Sequence, residues 1–323
     1  MNKNEMNLLP RRQFLQKSLQ IPAAYLLGLR LPALPQRDLK PQAEVPEGTQ
    51  LFTLDLETPR IIIEGDGSET DLELTSGGAF IIENGVAKTL QGSTKLDDPW
   101  YFANKDDEDL VKREMPQIVF RAVTPEISEA WANYNMEMVI TPTKHVTSDS
   151  PEVDGTDGID LFLNYHDQYN LYVAYLTKDG RMMIKRKSVP EGKTEDDAIY
   201  SLMAEKQVFD NARTYKTNDN FITPFAGATF DFNASVQNLE NGSVEIILQV
   251  DIYDPEGTLT FTDRIAGLDD GSLADEDGSG LLAGKPNSNG RAGIRLDSIE
   301  AIIEKFEVTA RNPFHNPGIK VQD

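Results

Sequence analysis

Tyr165, Tyr169, Tyr172 and Tyr175 place four of the chain's ten tyrosines within eleven residues, interleaved with Asn164 and His166 and followed by Arg181, Lys185, Arg186 and Lys187. A surface that mixes rings, an amide, an imidazole and ammonium groups suits sugars, whose C–H faces stack on aromatics while their hydroxyls take the polar groups. The same residues also satisfy plain cross-strand packing, with tyrosine hydroxyls at the rim and the lysines on a solvated edge. As a binding surface the segment offers Asn164, His166, Tyr172 and Lys185 as ligand contacts. As a catalytic one it offers His166 as base, Tyr172 or Lys185 as acid, and Asp160 as a cation ligand or orienter.

Asp275, Asp277 and Ser279 stand at alternate positions before Gly280, the spacing of the first half of an oxygen-ligand loop for Ca²⁺. Pro286 occupies the twelfth position, where such loops carry a glutamate, so the set reads as half a Ca²⁺ site or as a solvated acidic loop. Asp154, Asp157 and Asp160 form a weaker set. His145, His166 and His315 are too far apart for a local zinc motif. The chain contains no cysteine, which excludes disulfides, thiolate metal sites and cysteine nucleophiles. It also has no Gly-x-Ser-x-Gly elbow, phosphate loop or dinucleotide fingerprint.

The elements that must position these groups are strands. Val244, Ile246, Leu248, Val250 and Ile252 alternate with Glu245, Gln249 and Asp251, and Phe230, Phe232, Ala234 and Val236 alternate with Asp231, Asn233 and Ser235. A period of two with one apolar set is the mark of a half-buried antiparallel strand. Further strands are expected at Thr53–Leu56, Arg60–Glu64, Ala79–Glu83, Gln117–Ala122, Trp131–Thr141, Thr258–Asp263, Arg291–Asp297 and Glu300–Ala310, and three more between Gly158 and Ser188. Asn-Gly at 84–85 and 241–242, Asp-Gly at 179–180 and Glu-Gly at 256–257 mark the turns. Glu195 to Lys206 can form one short helix. Many strands, repeated hairpin turns and no βαβ rhythm imply an all-β antiparallel sandwich.

The order of several short pieces adds a resemblance. Ile82-Glu83-Asn84-Gly85-Val86, Trp131 to Met138, Gly158 to Tyr165, Tyr169 to Val173, and Gly290-Arg291-Ala292-Gly293-Ile294-Arg295 leading to Phe306-Glu307-Val308 together resemble the concanavalin A-like lectin/glucanase jelly roll, especially its laminin-G-like and 3-keto-disaccharide hydrolase-like branches. The resemblance implies two antiparallel sheets packed face to face, one of them concave, with glycans as the usual ligand. The glucanase members of that fold carry Glu-x-Asp-x-x-Glu on one strand. Glu152 to Asp157 departs from it by ending in Asp and by following Ser-Pro in a loop, so the glucanase motif is absent.

The N-terminal 35 residues read as an export signal. Arg11-Arg12-Gln13-Phe14-Leu15 followed by a weakly apolar stretch from Leu19 to Leu31 resembles the twin-arginine type, which predicts a periplasmic or extracellular destination. Residues 36–50 read as a Pro- and Gln-rich linker, 51–311 as the β domain and 312–323 as a tail. The formal charge is −22, and Lys3, Arg11, Arg12, Lys17 and Arg30 against Glu5 give the first 35 residues +4, so the remainder is still more acidic. That field repels nucleic acid and anionic lipid, and it admits strongly anionic glycans only where a cation or a local basic patch compensates. No run approaches the length of a membrane span. The expectation is therefore an exported carbohydrate-binding sandwich, with a 3-keto-disaccharide-type hydrolase or lyase and a structural envelope protein as the alternatives.

Overall fold

The computed structural model describes residues 47–63, 72–76, 79–90, 117–120, 131–145, 158–177, 179–208, 227–276, 278–296 and 299–311. The twin-arginine segment, most of the linker and the tail lie outside the described residues, as do Asp154, Asp157, Asp277 and His315. In chain order the strands are β1 Gln50–Thr53, β2 Arg60–Ile63, β3 Leu72–Ser76, β4 Ala79–Glu83, β5 Val86–Leu90, β6 Gln117–Phe120, β7 Tyr134–His145 and β8 Gly158–Asp167. They continue with β9 Asn170–Thr177, β10 Arg181–Ser188, β11 Ile199–Gln207, β12 Thr229–Asn238, β13 Val244–Tyr253, β14 Leu259–Asp269, β15 Arg291–Leu296 and β16 Ile299–Ala310.

These strands form two sheets, and every pairing between them is antiparallel. One sheet has nine strands in the order β14-β13-β12-β7-β16-β5-β4-β2, with β1 also on β16; the other has seven in the order β11-β10-β9-β8-β15-β6-β3. The alternating apolar sets meet between them. Phe230, Phe232, Val236, Ile246, Leu248, Val250, Met136, Met138 and Phe306 from the larger sheet share one buried cluster with Ile159, Leu161, Leu163, Leu176, Ile184 and Ile294 from the smaller. Burying each such side chain contributes about 1.5–3 kcal/mol, which is why the period-two pattern decides the face. The protein is an all-β sandwich.

Three departures from the sequence expectation have local causes. β1 ends at Thr53, because Asp55 turns the chain: its Oδ1 accepts the N–H groups of Glu57 at 2.9 Å and Thr58 at 3.2 Å. The expected helix from Glu195 is a single 3₁₀ turn, Glu195–Asp197, after which Ile199–Gln207 is a strand. The open ladder of β10 pairs with that segment along its whole length, and edge pairing overrides helix propensity. β8 bulges at Asn164, whose φ of +45° breaks the register between Leu163 and Asp167. A bulge re-aims the side chains beyond it. Tyr165 thus leaves the core side and stacks on Phe162, centroids 5.8 Å apart.

The segment between β14 and β15 is stitched to the sandwich from inside. Tyr172, fully buried, donates its hydroxyl to Asp269 Oδ2 at 2.7 Å and accepts the N–H of Asn287 at 3.0 Å. Arg186 donates to the same Asp269 oxygen at 2.9 Å, to the Gly284 carbonyl at 2.8 Å and to the Lys285 carbonyl. Asn164 donates its amide to the Asn287 carbonyl at 2.6 Å, and its own N–H goes to the buried Tyr134 hydroxyl at 2.9 Å. Gly290 passes so close that a side chain there would meet the Asn164 backbone at 2.3 Å. This close approach is the physical need for glycine at the head of the Gly-Arg-x-Gly-Ile-Arg stretch.

Candidate functional site

The outward face of the nine-stranded sheet holds a concavity of about 460 Å³. Strand register builds its floor. Arg264 on β14 lies opposite Gln249 on β13, Gln249 opposite Asn233 on β12, Asn233 opposite Glu137 on β7, and Glu137 opposite Glu307 on β16. The neighbouring row runs through Ile247, Ser235, Asn135 and Thr309. All but Ile247 are polar, and each alternates along its strand with residues that fill the core.

On β16 that alternation alone would send Lys305 and Glu307 inward with Ile303. A register shift between Ile303 and Lys305 prevents this, putting Phe306 and Val308 in the core and Lys305, Glu307 and Thr309 outside. Lys305 then bridges Glu137 at 2.8 Å and Glu307 at 3.1 Å. The hydrogen bond to Glu137, foremost, holds Lys305 above the ordinary lysine range. Asn233 Nδ2 donates to Asp231 Oδ1 at 2.9 Å and Gln249 Nε2 to Asp251 Oδ2 at 3.0 Å. Each of these amides keeps a second N–H and its carbonyl oxygen for another partner.

Asp231 sits beside this floor with its proton affinity raised, first by burial and then by the carboxylates of Glu137 and Asp251. A carboxyl group whose folded pKa lies above its unfolded value contributes stability that is full below the unfolded pKa and is lost as pH rises through the folded one. Replacing Asp231 by Asn is therefore expected to raise the melting temperature at neutral pH, with the gain vanishing below the ordinary aspartate value of 3.8. Melting curves across pH for both proteins check this, and an equal difference at all pH values would exclude the linkage.

The residues expected from the tyrosine-rich segment divide between two sides of the other sheet. Asn164 and Tyr172 face inward and belong to the buried stitching described above, so the expectation that they lie on an outward groove is corrected. Two causes act: the bulge at Asn164 breaks strict alternation, and the register of β9 against β10 places Tyr172 beside Arg186 on the core side. Lys185 and Asp160 do face outward, but each is already paired, Lys185 with Glu276 at 2.9 Å and Asp160 with Arg295 at 3.8 Å. His166 is exposed near the turn into β9, six residues or roughly 20 Å of strand from Asp160. The structure does not bring His166, Lys185 and Asp160 to one point.

Around the expected Ca²⁺ half-site, Asp275 Oδ2 accepts the Ser279 hydroxyl at 2.6 Å, and Asp277 lies outside the described residues. Among the described residues no group of three His, Cys, Asp or Glu side chains is arranged to hold a metal ion.

Asn135, Glu137, Asn233, Gln249, Arg264 and Glu307 were not among the residues expected from sequence. Their signal was nonetheless present: apart from Ile247, the outward positions in the middle of β12 and β13 are amides, carboxylates and serine, with none of the lysine that commonly coats a solvated sheet face.

No protein-family model and no curated protein matches the chain. Among solved structures it is similar to the marine PL-14 alginate lyase from Aplysia kurodai at 11% identity and a TM-score of 0.36, over 81% of this chain and 99% of that one. It is also similar to the botulinum neurotoxin serotype G binding domain at 9% identity and a TM-score of 0.30, over 79% of this chain and 44% of that one.

Proposed function

We propose that this chain is an exported protein that binds a carbohydrate in the concavity of the nine-stranded sheet. One observation carries the reading: Asn135, Glu137, Asn233, Gln249, Arg264 and Glu307, from five adjacent strands, converge on a single open concavity. Neighbouring strands lie about 4.8 Å apart, so the row runs from the donor Arg264 through the amides of Gln249 and Asn233 to the acceptors Glu137 and Glu307, each step a width that one sugar ring can span. Carboxylates accept from vicinal hydroxyls, and amides and Arg264 donate to them. Such a polar lining favours a polyhydroxylated ligand over an apolar one.

A glycan array of the mature domain, with and without EDTA, tests this. Binding of at least one glycan is expected, and it should fall by about tenfold or more in Asn233→Ala, each lost hydrogen bond contributing on the order of 1 kcal/mol. An array without a binder, or a binder indifferent to Asn233, contradicts the proposal. Export rests on Arg11 and Arg12: changing both to lysine should retain the protein in the cytoplasm, and undiminished export would remove that part.

A second reading, cleavage of a sugar at the same place, is favoured by Asp231. Its carboxyl holds a proton more tightly than an ordinary aspartate, first through burial and then through the neighbouring Glu137 and Asp251, and a carboxyl group raised in this way is what general acid–base chemistry uses. It predicts turnover of the bound glycan by the wild type and none by Asp231→Asn; a glycan recovered intact from the wild type rejects it.

A further inference from the structure

On the outward face of the seven-stranded sheet, Lys187 lies between Tyr200 of β11 and Leu171 of β9. Its ammonium stands 5.4 Å from the centre of the Tyr169 ring and 5.2 Å from that of Tyr200. It is half-buried, and burial, followed by the charge of Arg295, holds its pKa below the ordinary lysine range. Neighbouring cations on this face have carboxylate partners: Arg181 has Asp179 and Glu205, Lys185 has Glu276, and Arg295 has Asp160.

Lys187 differs. Among the described residues its ammonium makes no hydrogen bond and no ion pair, only the two ring contacts. Asp167, the one carboxylate that favours its charge, serves the turn between β8 and β9. Asp167 Oδ1 accepts the Tyr169 N–H at 2.8 Å, and both of its oxygens accept the Asn170 amide, at 3.0 and 3.1 Å. A partly desolvated ammonium with no ion-pair partner in contact is unfavourable by itself and is relieved by an anion that reaches it. Along the same face, Arg291 lies over the Tyr165 ring at 5.3 Å, and Tyr165 stacks on Phe162.

We propose that Lys187, flanked by Tyr169 and Tyr200, is a subsite for the carboxylate of a sugar acid, separate from the concavity on the other sheet. One point charge between two rings matches one carboxylate borne on a ring whose C–H face can stack. A phosphate would call instead for a fork of donors or a nest of backbone N–H groups. The acidity of the chain points the same way, because a formal charge of −22 repels a densely charged polyanion but tolerates a single carboxylate at a local cation.

The test is a titration of the full chain, its lysines reductively methylated with ¹³C, which keeps their charge. The Lys187 resonance is identified by its loss in Lys187→Arg. Sodium glucuronate should shift that resonance saturably and raise its apparent pKa, whereas glucose should leave it in place and inorganic phosphate should bind about tenfold or more weakly than glucuronate. In parallel, Tyr200→Ala should weaken glucuronate about fivefold or more with the Lys187 signal still present. No movement with glucuronate, equal movement with glucose, or phosphate binding as tightly as glucuronate would each overturn the proposal. The wild-type titration decides the matter even where Tyr200→Ala fails to fold.

Discussion

Arg186→Met is expected to lower the melting temperature by about 10 °C. The guanidinium and the Asp269 carboxylate are almost fully buried, 2% and 0% exposed, and are joined at 2.9 Å. Removing one member of such a pair leaves the other charge buried and uncompensated, at a cost of roughly 3–5 kcal/mol. In a domain of this size each kcal/mol moves the midpoint by about 2–4 °C. The double change Arg186→Met with Asp269→Asn should recover much of the loss, since the amide keeps an acceptor for the Tyr172 hydroxyl and leaves no charge behind. Thermal melts of the two single variants and the double variant measure this. A double variant as unstable as the sum of the singles would mean that the two side chains do not act as a pair.

Asn164→Ala is expected to cost about 2–5 kcal/mol. The change strands the Asn287 carbonyl, worth about 1–3 kcal/mol when buried, and forces alanine into a left-handed backbone, worth about 1–2 kcal/mol more. The backbone angle is +45° and the bond to Asn287 is 2.6 Å. Asn164→Gly removes the same amide without the steric penalty, so it should retain roughly 1 kcal/mol relative to alanine. Denaturant unfolding resolves the two. Equal losses would show that the bulge is not held by the backbone preference of residue 164, and no loss in either would show that the stitching of the connecting segment contributes nothing.

Alternation was enough to read most of the sandwich. Where an apolar set recurs at every second residue, as in β12 and β13, burial excludes a one-residue slip, and the faces follow. It failed where an extra residue enters a strand. At Asn164 and between Ile303 and Lys305 the face changes hand, and no local composition announces it. Tyr172 was misplaced for another reason. The sequence shows a ring and a hydroxyl but not that Asp269, 97 residues away, lies inside to accept its hydrogen bond.

The concavity was legible only in pieces. Glu137, Asn233, Gln249 and Arg264 are scattered over 128 residues and become neighbours through strand pairing alone. Each piece by itself is an ordinary outward polar residue. Their convergence depends on long-range register, which sequence periodicity does not encode.

The central claim is that a glycan occupies this floor, and calorimetry tests it most directly. The glycan identified on the array is titrated into the wild type, into Asn135→Ala with Asn233→Ala, and into Lys187→Met, with melting temperatures recorded for all three. The account predicts that the double variant loses binding by about a hundredfold, two hydrogen bonds being worth on the order of 1–1.5 kcal/mol each, while melting within a few degrees of the wild type. Undiminished affinity in that folded double variant would contradict it.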